Sequence, residues 1–238
     1  MLNDLSNTQF RPAEKSDYQA EDVLRFWFPR LPSGDPAAMV RQWERWFRGG
    51  MDADIIKHFP PLLEQATRGE LDTWSREPRS RLALIIVLDQ FSRTIHRGTA
   101  EAFAQDPKAC ALALEGIDIG HYAALETPAE KTFYLLPLGH TEQSEPSSHL
   151  TNLDLAVKLA DELVKQVPQE YRALLEFSAA QARRHRDVIA RFGRHPHRNE
   201  VLGRQSTPEE LEVPREWPAR TYASDATPPV AISLQSLR

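Results

Sequence analysis

One segment of this chain cannot lie at a surface. Leu82-Ala83-Leu84-Ile85-Ile86-Val87-Leu88 would put apolar side chains on every face of a helix. A helix apolar all round has to be enclosed by other elements. Residues 79–95 therefore read as one central helix, and the rest of the chain must supply its surroundings.

The remaining segments do so with helical period, each carrying its own punctuation. Val23, Leu24, Trp27 and Phe28 form one apolar side ahead of Pro29. Asp35-Pro36 is an N-cap followed by proline at the first helical position. Met39, Val40, Trp43, Trp46 and Phe47 follow, and Gly49-Gly50 ends that helix. Ile55, Ile56, Phe59, Leu62, Leu63 and Ala66 make a stripe at spacings of three and four. Pro60-Pro61 within it predicts a kink or a break, because proline lacks the backbone donor. Asp106-Pro107 opens another helix, and Thr127-Pro128-Ala129-Glu130 is a capping box whose helix is expected to stop near Pro137. Residues 149–167 are amphipathic. Pro168 opens a last long helix with Leu174, Ser178, Gln181, His185, Val188 and Phe192 on one face. Thr207-Pro208-Glu209-Glu210 can start one more short helix.

Strand signals are nearly absent, so the expected fold is all-α, a single helical domain of antiparallel neighbours. That domain is placed at residues 20–211. A polar segment, 1–19, precedes it. The Pro-rich stretch 212–238 is expected to be an extended or disordered tail.

Net charge is -5 and 26% of residues are charged, which gives no general attraction to nucleic acid or anionic membrane. The one cysteine, Cys110, excludes an internal disulfide and a Cys-rich zinc site, and fits a reducing, cytoplasmic location. Residues 1–20 lack the apolar run of a secretory signal. No stretch approaches the roughly 18 apolar residues of a membrane span.

The informative residues are the polar ones where a core is expected. Asp89 and Arg93 are four apart, so they share a helix face and can pair. Arg97 continues that row, and Gln90 lies beside it. The plain reading is a structural ion pair at a buried helix end. Against it stands one carboxylate facing two arginines. Surplus guanidinium suits an anion, either a distant side chain or a ligand carboxylate or phosphate. His140 and Glu142 form a His-x-Glu pair after an apolar segment, and a capping or surface role suits Glu142 alone. His185 falls on the apolar stripe of the last helix, where a lone histidine is more often a satisfied core residue. Its polar neighbours Ser178 and Gln181 suggest that the face meets Asp89 or the arginines beside it.

The densest cluster is Arg191-Phe192-Gly193-Arg194-His195-Pro196-His197-Arg198-Asn199. A helix C-terminus needs only one or two cations to complement its dipole. This segment has more, of types that bond in fixed geometries, so it reads as one wall of a site. His197, Arg198 and Asn199 are its sharper candidates, with Pro196 taken as the helix stop and Arg191 as a dipole partner.

These residues, in this order, resemble a known family. The run Leu82 through Asp89-Gln90-Phe91-Ser92-Arg93, the run Tyr134-Leu135-Leu136-Pro137-Leu138-Gly139-His140-Thr141-Glu142 and the Arg194–Asn199 motif with Leu202-Gly203-Arg204 are similar to the bacterial "domain of unknown function 924" family. The opening Val23-Leu24-Arg25-Phe26-Trp27-Phe28 fits too. The resemblance implies an all-helical, tetratricopeptide-like right-handed superhelix and no assigned reaction. The family usually has proline at Ser92, asparagine at Thr94 and methionine at Gly139. A more regular helix through Arg93 and a less filled wall near His140 are the corresponding expectations.

Two functional readings compete. In the first, Asp89, Gln90, Arg93 and Arg97 converge with His140, Glu142, His185, Arg194, His197, Arg198 and Asn199 in a pocket for a small anionic ligand. Arginines, with Gln90 and Asn199, would hold the anion. Asp89, His140, Glu142, His185 and His197 would be the acid/base candidates for hydrolysis or transfer. In the second, the helices form a scaffold for a protein or peptide partner, and the polar motifs are buried networks. A metal held by His140, Glu142 and His185 is the weaker third reading, because neighbouring arginines repel a cation. No cofactor, metal, nucleic acid or membrane partner is expected.

Overall fold

The computed structural model describes residues 18–30, 35–142 and 146–212. The expected tail lies outside them apart from Glu212, as do residues 1–17 of the N-terminal segment. Every regular element among the described residues is helical. α1 (Ala20–Trp27), α2 (Pro36–Phe47), α3 (Asp52–His58) and α4 (Pro60–Thr67) come first. A 3-10 turn, Asp72–Arg76, leads into the central helix. That helix is three pieces in one run: α5 (Pro78–Ile86), a π turn (Val87–Phe91) and α6 (Ser92–Ile95). A 3-10 turn at Ala100–Phe103 precedes α7 (Asp106–Asp118) and α8 (Pro128–His140). The long pair α9 (Pro146–Gln166) and α10 (Gln169–Phe192) packs together extensively, and a 3-10 turn (Pro196–Arg198) and α11 (Pro208–Leu211) complete the described chain.

The local chemistry sets these boundaries. Asp35 accepts from the N–H groups of Ala37 and Ala38, and Thr127 and Glu130 close a reciprocal capping box. Both satisfy donors that a helix start leaves open. Pro60 breaks rather than kinks its stripe, so Phe59 caps α3 and precedes α4. α10 stops at Gly193, whose φ of 67° is left-handed. The stop is therefore Gly193, with Pro196 opening the next turn instead of ending the helix.

α8 does not stop at Pro137. It continues to His140, with Pro137 inside it. A proline costs a helix one hydrogen bond, yet here the cost falls in the last turn, where burial of Leu138, Gly139 and His140 offsets it. This extra turn carries His140 to the central helix.

α5 is enclosed as expected: Leu82 through Leu88 are each at most 1% exposed. Around it lies an aromatic cluster. Phe59 meets Phe91 at 4.6 Å and Phe26 at 4.8 Å between ring centroids, and Trp27 meets Phe133 at 5.3 Å. Burying each such ring contributes about 1.5–3 kcal/mol. Tyr18 joins this core, its ring tilted against Phe59 at 5.0 Å between centroids, so the helical domain draws in the end of the segment read as polar. Serine at position 92 does not make the helix regular: the π turn falls directly before it. Such wide turns recur where a helix presents functional or buried polar groups, and this one holds Asp89 and Gln90.

Candidate functional site

The π turn and the last turn of α8 bring Asp89 and His140 together. His140 Nδ1 lies 2.8 Å from one Asp89 carboxylate oxygen and 3.0 Å from the other. An ionised carboxylate only accepts, so Nδ1 donates. Gln90 Nε2 donates to the same carboxylate at 2.5 Å. Arg93 Nη1 lies 3.1 Å from Asp89 Oδ1 and donates to the Asp89 carbonyl at 3.0 Å. Burial alone would raise the Asp89 pKa, but Arg93 and His140 hold it well below the usual carboxylate range.

Arg93 has a second carboxylate. Its two terminal nitrogens donate to Asp106 at 2.7 and 2.9 Å, a bidentate pair. Arg198 Nη1 donates to Asp106 at 3.0 Å, and its Nη2 donates to the His140 carbonyl at 2.7 Å. Both guanidinium groups lie over Phe103, with Arg198 Cζ 4.3 Å and Arg93 Cζ 5.7 Å from the ring centroid. Asp106 was legible only as a helix opener. At the first helical position of α7 it points inward and is buried. Arg97 leaves the row that sequence spacing gave it. α6 ends at Ile95, and exposed Arg97 pairs with Asp52 at 2.8 Å. The apparent surplus of guanidinium on Asp89 is thus answered in large part by Asp106 and Asp52.

The histidines form a string. Ring centroids are 5.8 Å apart from His140 to His185, 5.5 Å from His185 to His195 and 5.4 Å from His195 to His197. His185 meets His140 rather than Asp89 itself. Desolvation pushes the pKa of His140 below its ordinary value and those of His185 and His195 well below it. For His140 the Asp89 charge opposes that shift. For His185 and His195 the neighbouring histidines and Arg198 reinforce it. His195, passed over in favour of His197, is the more buried of the two. It lies 3.1 Å from the Gly139 carbonyl through Nε2, and its Nδ1 has no hydrogen-bond partner among the described residues. The wall beside Gly139 is filled by His185: a Cβ at Gly139 would sit 2.8 Å from His185 Nδ1.

Glu142, Arg194 and Asn199 belong to a separate clasp. Glu142 accepts from the His195 N–H at 2.7 Å and from Arg204 at 2.5 and 3.2 Å. Arg194 donates twice to Glu210, at 2.7 and 2.8 Å. Asn199 donates to Ser206 and Glu210 and accepts from Arg204. Arg191 pairs with Glu209 at 3.0 Å. This clasp fastens the 193–212 segment to itself and to the end of α8. Since Glu142 is turned to Arg204, it does not join His140 and His185, and no group of three or more His, Cys, Asp or Glu among the described residues is placed to hold a metal.

Two cavities adjoin this network. A cavity of about 320 Å³ is lined on its polar side by Gln90, Arg93, Arg97, His197 and Arg198, with Asp52. Its apolar lining residues include Trp27, Trp46, Phe47, Met51, Ile55 and Phe103. A narrow one of about 40 Å³ lies between α8, α9 and α10, where His140, His185, Gln181 and Ser178 meet leucines and alanines. Of the acid/base candidates, His197 alone lines the larger cavity. The sequence signals that could have found the rest of its wall, Trp27, Trp46 and Phe103, are the aromatics next to polar motifs.

An all-helical chain with this Asp-Arg-His core falls in a class without an assigned reaction. The family described as "bacterial protein of unknown function (DUF924)" matches residues 23–216, and the chain belongs to it. A solved structure from Agrobacterium tumefaciens, titled a protein of unknown function, is 33% identical, with a TM-score of 0.64 over 81% of this chain and 94% of that one. No curated protein matches. Among the described residues, no helix is long and apolar enough to cross a membrane.

Proposed function

We propose that the chain binds a small anionic ligand in the 320 Å³ cavity. One observation carries the reading: Arg93, Arg97 and Arg198 line that cavity, while Asp52 is the sole carboxylate among its described lining residues. Asp89 and Asp106 stand behind the arginines, so the guanidinium groups are what an entering anion meets. The volume is at the lower end of ordinary small-molecule sites, about 300–1,000 Å³. Any proton transfer on the ligand falls to His197, because His140 and His185 face the narrower cavity. A cytoplasmic location is part of the same reading.

A second reading has its own support. Arg93 and Arg198 spend their terminal nitrogens on Asp106 and the His140 carbonyl, as a structural network would. On that reading the helices are a tetratricopeptide-like scaffold for a protein or peptide partner.

Calorimetric titration of the full chain with acetate, benzoate and inorganic phosphate separates the two. Saturable binding of at least one anion, weakened in Arg97→Gln, is the result expected of an anion site. No heat from any of them, with the fold intact, leaves the scaffold.

A further inference from the structure

We propose that the ligand of this cavity is a monocarboxylate carried on a flat apolar body, rather than a phosphate. This rests on the anion reading above and narrows it.

A phosphate dianion is held where several N–H groups converge with charge to spare. Here the Arg93 fork is laid on Asp106, and each terminal nitrogen of Arg198 already gives one of its two N–H groups, to Asp106 and to the His140 carbonyl. The exposed guanidinium of Arg97 touches one carboxylate, Asp52, at 2.8 Å. Asp52, Asp89 and Asp106 together match Arg93, Arg97 and Arg198 charge for charge. The site is therefore neutral before a ligand enters. One added negative charge can share the exposed Arg97 with Asp52, and a second only adds repulsion from the three aspartates.

The rest of the lining is apolar. Trp27, Trp46 and Phe47 line the cavity with Met51 and Ile55, and Phe103 lies under the Arg93 and Arg198 guanidinium groups. Water in such a space contacts rings it cannot bond, so a ring that displaces it is favoured. A head group alone leaves that surface wet. The volume limits the body to about one ring system.

Calorimetry on the full chain tests this with benzoate and phenylacetate against acetate, benzamide and phenyl phosphate. Each comparator removes one feature: the ring, the charge, or the single charge. The aromatic carboxylates should bind roughly tenfold tighter than every comparator or better. Phe47→Leu should weaken benzoate several-fold and leave acetate unchanged. If acetate or phenyl phosphate binds as tightly as benzoate, this inference is overturned and the anion site stands. Benzamide equal to benzoate, or silence from every compound and from inorganic phosphate, removes the anion site and this inference with it.

Discussion

Asp106 and Arg198 are bonded at 3.0 Å across 92 residues of chain, both of them buried. Through the same carboxylate Asp106 also holds Arg93, so it joins α7, the central helix and the segment after α10. Breaking a buried pair by removing one partner leaves an uncompensated charge. Asp106→Asn leaves two guanidinium groups short of their counter-charge. A loss of about 3–5 kcal/mol is expected in urea unfolding. A loss under about 1 kcal/mol, the range of a surface pair, would show that the buried arginines find compensation elsewhere.

Arg97 is the contrasting case. Its side chain is 62% exposed, and its pair with Asp52 is a surface one. Exposed pairs contribute about 0–1 kcal/mol. Arg97→Gln should therefore unfold at nearly the wild-type urea midpoint while losing the response to carboxylates. A large drop in stability would place Arg97 in the structural network instead.

What could be read in advance was whatever one turn of chain decides. Asp35, Thr127 and Pro60 act on neighbours within four residues, and their effects followed from spacing. The enclosed position of Leu82 to Leu88 needed only the absence of a polar face. Asp106 was opaque because Asp-Pro is itself a helix-start signal, and its bonds to Arg93 and Arg198 depend on how three elements pack. Arg97 was misplaced for a related reason. Its row with Asp89 assumes a continuous α-helix, whereas the chain passes through a π turn and then ends the helix at Ile95. Glu142 is a site candidate from its His-x-Glu spacing, and Arg194 and Asn199 are candidates from the density of their segment. Their partners, Arg204 and Glu210, lie in a stretch with little periodicity to betray a clasp.

Gly139 and His185 give a steric prediction. The Cβ of Gly139→Ala would fall 2.8 Å from His185 Nδ1, closer than packed atoms approach. Both residues are buried, so one helix or the other must shift. Overpacking of this kind costs about 1–3 kcal/mol. Gly139→Ala combined with His185→Ala should lose less than the sum of the single changes. Strict additivity in that cycle, within about 0.5 kcal/mol, would mean that the two sites do not press on each other.

The buried histidines fix how stability depends on pH. Desolvation lowers the pKa of His140, and lowers His185 and His195 well below the ordinary 6.5. Above that pH both folded and unfolded chains hold these rings neutral, so they contribute no pH dependence. Below it the unfolded chain takes up protons that the folded chain refuses, and stability falls as pH falls. Each fully refused proton removes about 1.4 kcal/mol per pH unit. The carboxylates act later and in the same sense. Glu210 is lowered to about 2, chiefly by its bond to Arg194, so its contribution is lost in the acid range below the ordinary value of 4.5. Urea midpoints should accordingly be level from pH 8 to 7 and decline between pH 6.5 and 5, before the carboxylates titrate. His185→Gln should shallow that decline, since it deletes one of the refused protons. Level midpoints down to pH 5 in the wild-type chain would show that these rings take up protons while folded, contrary to their burial among Arg93, Arg198 and one another.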